Sequence, residues 1–240
     1  MGLLPTPTNA TLRALAVSYL YPALLLGSVE IYQRITRTSV SLTRKIIHLG
    51  AGTYMLATLY LFEQWQWTVF LMGSFVVLNA IFWRMRIFKA MDTQQATPGT
   101  VYFAFSCAFL LGWFHQGWED GFPRGREYIA IAGIMAMTYG DAFAAIIGKR
   151  YGKHEYQVIG DGDNRRTLEG SQANFIASFL AVSITWMIMS PPELNNYWDI
   201  IFGSIIAAVA STAFEAISPR GTDNLTVPIG VSFTLSWLGY

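Results

Sequence analysis

The sequence predicts an all-α, polytopic integral membrane helical bundle. It has seven to eight transmembrane helices and a long cytoplasmic loop between helices 5 and 6. Three observations carry that prediction. Of 240 residues only 13% are charged and 53% are hydrophobic, whereas a soluble domain carries about 25% charged residues. The apolar residues gather into eight runs, most of them near the roughly 17–25 residues that a bilayer crossing requires. The basic residues alternate in number from one connection to the next, as the positive-inside rule demands of a multi-span chain.

The runs are, in order, Leu12–Ile31, Ile46–Phe62, Trp67–Phe82, Gly99–Phe114, Tyr128–Ile147, Gln172–Met189, Ile200–Ile217 and Leu225–Tyr240. The last is short and contains Pro228, so it either spans tightly or ends within the bilayer. Connections are brief, apart from residues 148–171. Thirteen of the sixteen Lys and Arg fall in one set of connections, at Arg34 to Lys45, Arg84 to Lys89, Lys149 to Arg166 and Arg220. Arg13, Arg124 and Arg126 fall in the other set. The first set is therefore expected in the cytoplasm and the N-terminus outside. The chain reads as a single membrane-embedded domain over residues 1–240, with no room for a soluble one. The first ten residues lack a basic stretch, so a cleaved signal peptide is not expected. A net charge of +1 gives no basis for a nucleic-acid partner. The lone cysteine, Cys107, excludes an intrachain disulfide and a cysteine metal cluster.

The unusual polar residues all fall at the cytoplasmic ends of the runs. Arg44, Lys45 and His48 share one helical face through their i, i+3 and i, i+4 spacing. Thr97 to Thr100 opens the fourth run, Asp141 lies near the end of the fifth, and Glu169 opens the sixth. Glu215 closes the seventh, and Asp223 and Asn224 begin the eighth. This pattern predicts a polar cavity open to the cytoplasm. Within it, residues 139–173 form the stretch around which the rest is organised. A carboxylate within a span is costly and needs a partner, water or a task, so Asp141 is either a functional group or the partner of Arg44 or Lys45. With the helix ending at Ile147, it would lie about 9 Å from the helix end at 1.5 Å rise per residue. Gly148, Lys149, Arg150, Gly152 and Lys153 combine close backbone approach with positive charge, as a phosphate site does, although a basic cluster after a span is also an ordinary topogenic signal. No Walker A sequence is present, so a nucleotide site here is of another type. Asp161 to Asn164 reads as a solvated turn. Thr167 can cap the following helix, with Glu169 in its first turn. Capping does not explain Arg165 and Arg166. His115 and His154 read as surface residues.

These residues resemble a family. Asp141, Ala144, Gly148 and Gly152, followed by Arg166, Thr167, Glu169, Gly170 and Ala173, look like the nucleotide-binding signature of the polyprenol kinases. That family includes phytol kinases and dolichol kinases, and yeast-type diacylglycerol kinase is similar. Arg44, Lys45 and His48 resemble its Arg-Lys-x-x-His element. Gly99-Thr100-x-Tyr102 and the set Glu215, Asp223, Asn224, Leu225 and Pro228 resemble further family patterns. The likeness covers roughly residues 41–228. Two departures stand out: Arg166 occupies a position that is usually Lys, and the long loop lacks the Trp often found there. The resemblance implies CTP as co-substrate, Mg²⁺ as the divalent cation and a long-chain alcohol entering from the bilayer. It also implies roles. Asp141, Lys45 and His48 would be catalytic. Gly148, Lys149, Arg150, Gly152, Arg165, Arg166, Thr167, Glu169, Gly170 and Asn224 would bind the nucleotide. Asp141, Glu169 and Asp223 would hold the metal. A cytidylyltransferase would use a similar nucleotide site, but its Gly-His-Gly-Gly signature is absent. A transporter would place charges at mid-membrane in repeated halves, and neither feature is present.

Overall fold

The computed structural model describes residues 4–85, 98–115, 125–158, 165–189, 191, 193–194, 196–219 and 221–240. Arg86, Lys89, Thr97, Arg124, the Asp161 to Asn164 turn and Arg220 lie outside the described residues. The described elements are α1 (Asn9–Thr36), α2 (Val40–Leu61), α3 (Trp65–Met85), α4 (Gly99–Trp113), α5 (Glu127–Tyr151), β1 (Glu155–Gln157), β2 (Arg165–Thr167), α6 (Leu168–Met189), α7 (Tyr197–Ile217) and α8 (Asp223–Trp237). All eight apolar runs are helices, and the protein is a multi-pass integral membrane protein.

Five helices, α1, α3, α5, α6 and α7, are long and apolar enough to cross a bilayer. Helix α2 has a spanning length of 22 residues but opens on Arg44, Lys45 and His48. Helices α4 and α8 have 15 residues each. At about 1.5 Å per residue that is roughly 22 Å, short of a hydrocarbon core of about 30 Å. Each matches the length of its 16-residue apolar run to within one residue, so the sequence already showed these two segments to be short.

Local chemistry sets the helix ends. Thr8 Oγ1 accepts from Thr11 N at 3.1 Å and starts α1. Arg37 ends it in the left-handed conformation, φ 55°, with its N–H on the Gln33 carbonyl. Asn196 and Asp199 form a reciprocal capping box at the start of α7. Helix α5 runs four residues past the apolar run, to Tyr151. Lys149 and Arg150 form helix readily and complement the negative end of its dipole.

Helix α5 is the axis of the molecule. It is buried from Glu127 to Thr138 and packs on α2, α4, α6, α7 and α8. Small residues let the neighbours close in, as expected where helices associate in lipid by van der Waals fit. A Cβ on Gly133 would collide with the Pro228 carbonyl oxygen of α8, and one on Gly52 of α2 with Thr138. Ser232 Oγ donates to the Ile129 carbonyl at 3.1 Å, and Trp186 Nε1 to the Tyr128 carbonyl at 2.9 Å. The described parts of the segment after α5 contain two short strands. Strands β1 and β2 form an antiparallel hairpin with Tyr156 opposite Arg166. Tyr156 Oη lies 2.7 Å from Ser171 Oγ, which holds the hairpin to the first turn of α6.

Candidate functional site

The site gathers at the end of the bundle where α5 meets α2, α6, α7 and α8. Asp141 projects from α5 three turns before the helix ends, deeper than a helix stopping at Ile147 would place it. Its Oδ2 takes a charge-assisted hydrogen bond from Lys45 Nζ at 2.6 Å, and His48 Nε2 stands 3.6 Å from the same oxygen. Asp141 Oδ1 has no hydrogen bond among the described residues. Lys45 and His48 reach the same carboxylate because their i, i+3 spacing puts them on one face of α2. Arg44 is exposed. The His48 ring meets Phe103 of α4 edge-on, with ring centroids 5.5 Å apart.

A second knot of charge adjoins the first. Arg166, at the centre of β2, forms an ion pair with Glu215 of α7. Its Nη2 lies 3.5 Å from Asp223 Oδ2 and 3.4 Å from the Ser218 carbonyl oxygen. The Glu215 side chain is only 4% exposed, and a buried carboxylate is tolerated only when paired. Asp223 opens α8 and accepts from both Asn224 N and Asn224 Nδ2 at 2.9 Å. Pro228 explains how this end of α8 is held. Proline has no N–H, so the Asn224 carbonyl four residues back loses its helical donor, and Ser106 Oγ of α4 supplies a hydrogen bond at 2.9 Å instead. Asp141 and Asp223 lie within electrostatic reach of one another and of Lys45 and Arg166.

The cluster thus sets three carboxylates against two permanent cations. With His48 neutral it keeps one uncompensated negative charge, which favours a divalent cation. Among the described residues no three His, Cys, Asp or Glu side chains converge as a metal cage. Magnesium does not require one, since it is usually held by one or two carboxylates together with substrate phosphates and water. Asp141 and Asp223 fit that role.

The other residues expected at the site divide into two groups. Lys149, Arg150 and Lys153 are exposed, and their ammonium and guanidinium groups form no ion pair with the described residues. Arg150 rests over the Tyr151 ring at 5.3 Å. The remainder are engaged within the protein. Arg165 pairs with Glu155 at 3.0 Å across the hairpin. Thr167 Oγ1 accepts from Gly170 N at 3.1 Å, the expected cap. Glu169 is paired to His154 at 2.7 Å, and the His154 side chain is exposed at the surface, as expected. His115 is half-buried and stacks on Trp65, with centroids 3.9 Å apart. The glycines are packing positions. A Cβ on Gly170 would lie 3.0 Å from the Ala144 carbonyl and 3.4 Å from Gly148 Cα, and one on Gly152 would strike the Gly148 carbonyl. Gly148 and Gly170 bring α5 and α6 close together beside the exposed cations.

One feature escaped the sequence reading. Asn174, fully buried on α6, accepts through Oδ1 from Ser178 at 3.2 Å, Ser211 at 3.0 Å and Thr212 at 3.3 Å. Ser178 Oγ also lies 2.9 Å from the Ala136 carbonyl of α5. This network joins α5, α6 and α7 one turn beneath Asp141. Its signal was the pair Asn174 and Ser178, i and i+4 within an apolar run.

No family model matches the chain, and no solved structure matches it. Relatives do. A phytol kinase of Synechocystis sp. is 32% identical over 227 residues, covering 94% of this chain and 90% of the relative. A probable chloroplastic phytol kinase of Oryza sativa is 28% identical over 78% of this chain and 63% of its own length. A dolichol kinase of Schizosaccharomyces pombe is 30% identical over 99 residues, which is 41% of this chain and 18% of that protein. The chain belongs to the polyprenol kinase family, alongside the phytol kinases.

Proposed function

We propose that the protein phosphorylates the hydroxyl of a membrane-embedded long-chain isoprenoid alcohol of the phytol, geranylgeraniol or polyprenol kind, with CTP as donor. The observation that carries this reading is the cluster of Lys45, His48, Asp141, Arg166, Glu215 and Asp223 at one end of an apolar bundle, beside the exposed cations Lys149, Arg150 and Lys153. The phytol and dolichol kinases among the relatives support the acceptor class. CTP rests on the motif resemblance, and a cytoplasmic nucleotide site rests on the Lys/Arg bias.

Phosphoryl transfer is mainly positioning and charge neutralisation, and the chain's residues suit both tasks. Lys149, Arg150 and Lys153 receive the triphosphate at the surface. The acceptor hydroxyl, carried on a tail that stays among the apolar helices, meets it at Asp141. The alcohol oxygen bonds to the γ-phosphorus, the bond from that phosphorus to the β–γ bridging oxygen breaks, and the nucleoside diphosphate leaves. The hydroxyl proton passes to Asp141 Oδ1. Lys45 fixes the other carboxylate oxygen and offsets charge. Mg²⁺ held by Asp141 and Asp223 would neutralise the phosphate oxygens.

The test is purified protein assayed with labelled CTP, ATP, GTP and UTP against phytol, geranylgeraniol, dolichol and diacylglycerol. An isoprenoid monophosphate formed preferentially from CTP is expected. Preferential use of diacylglycerol would overturn the acceptor class, and preferential use of ATP would overturn the donor.

A further inference from the structure

Helix α5 ends at Tyr151, and Gly152 turns the chain towards β1. The turn presents two successive main-chain N–H groups, those of Lys153 and His154. Such a pair forms a small concavity that attracts an anion. Here a side chain of the protein fills it. Glu169 Oε2 accepts from Lys153 N at 3.1 Å and from His154 N at 3.4 Å, while Oε1 lies 2.7 Å from His154 Nδ1. Leu168 N donates to the His154 carbonyl at 3.0 Å and ties the same two segments from the other direction. Three of the roughly four acceptor positions of the carboxylate are thereby used, all on one turn.

We infer that Glu169 is a positioning residue and not a metal ligand. It clasps the turn that carries Lys149, Arg150 and Lys153, and so sets the spacing of those cations for a polyphosphate. This role rests on the kinase reading above for its consequence in turnover, but not for its structural consequence. A carboxylate that left the turn to bind a metal would give up the three hydrogen bonds that tie the turn to α6. The same carboxylate kept in place rigidifies the approach to the site without touching substrate.

The test uses the full-length protein in detergent with Glu169→Ala, Glu169→Gln and His154→Ala, read in two ways. The first reading is amide hydrogen exchange of residues 149–157 without nucleotide or metal. Glu169→Ala should speed exchange at Lys153 and His154. Glu169→Gln, whose amide oxygen still accepts one N–H, should fall between alanine and wild type, and His154→Ala should give a smaller effect of the same sign. The second reading is kinetic. Loss of the clasp should raise the nucleotide KM by about tenfold, the scale of one charge-assisted hydrogen bond. It should leave kcat within about threefold, and half-saturating Mg²⁺ unchanged. Unchanged exchange in Glu169→Ala would overturn the inference. So would a rise of about tenfold or more in the Mg²⁺ requirement shared equally by Ala and Gln, as loss of a metal ligand predicts. If no nucleotide is turned over by any form, the kinase reading fails while the exchange result still decides the role of Glu169.

Discussion

At the scale of residues, Asp141 has both a structural and a chemical task. It holds Lys45 at 2.6 Å, so neutralising it strands a half-buried ammonium. Asp141→Asn should lower the melting temperature in detergent and also reduce turnover per folded molecule by about 10² or more, the contribution of a lost general base. Wild-type turnover in the folded fraction would leave Asp141 with the structural task alone. Arg166 differs. Its guanidinium is paired to Glu215 and lies near Asp223 and the Ser218 carbonyl. Arg166→Ala should destabilise the fold by about 3–5 kcal/mol, the cost of leaving a buried charge without its partner. Arg166→Lys should recover part of that, because the charge survives and the planar fork does not. A melting curve checks both, and an alanine variant as stable as wild type, with weakened nucleotide binding, would return Arg166 to the triphosphate. Lys45, His48 and Asp141 were legible because a carboxylate and the polar face of Arg44, Lys45 and His48 at the ends of apolar runs are conspicuous without coordinates. The partners of Arg166 and Glu169 were not, since each lies on an element whose approach depends on the tertiary fold.

At the scale of elements, the glycines taught the most. Their proximity to Lys149 and Arg150 suggests a phosphate cradle, and Gly148 and Gly170 also form the close contact of α5 with α6. Gly140 sits beside the buried network of Asn174 and Ser178. A Cβ there would collide with Ser178 Oγ and lie 2.9 Å from Asn174 Nδ2. Gly140→Ala should therefore cost about 1–3 kcal/mol by overpacking and displace Asp141 next to it. Gly27→Ala on α1, where a Cβ would meet nothing within 4 Å, should be neutral or slightly stabilising. Thermal unfolding of the two variants side by side checks the contrast. Helix existence was readable from apolar runs, since bilayer solvent forces backbone groups to pair internally. The end of α5 was not, because polar helix formers extend it beyond its apolar run.

At the scale of the whole molecule, the polar end of the bundle is expected in the cytoplasm and the start of α7 on the opposite side. Helix α6 separates the two positions by 22 residues, about 33 Å at 1.5 Å per residue. Cysteines at Lys149 and Tyr197, both exposed, should react with an impermeant thiol reagent from opposite faces of sealed vesicles, against a background in which Cys107 is fully buried. Labelling of both from one face would contradict the arrangement. Chemistry at the membrane boundary is tested most directly by following the phosphorus atoms. Wild-type protein and Asp141→Asn are reconstituted in vesicles containing phytol and supplied with CTP labelled at either the α- or the γ-phosphate. The γ-label should appear in the alcohol monophosphate with an equal amount of CDP released, and Asp141→Asn should lose that transfer. Appearance of the α-label in the lipid with release of pyrophosphate, or equal γ-label transfer by Asp141→Asn, would contradict it.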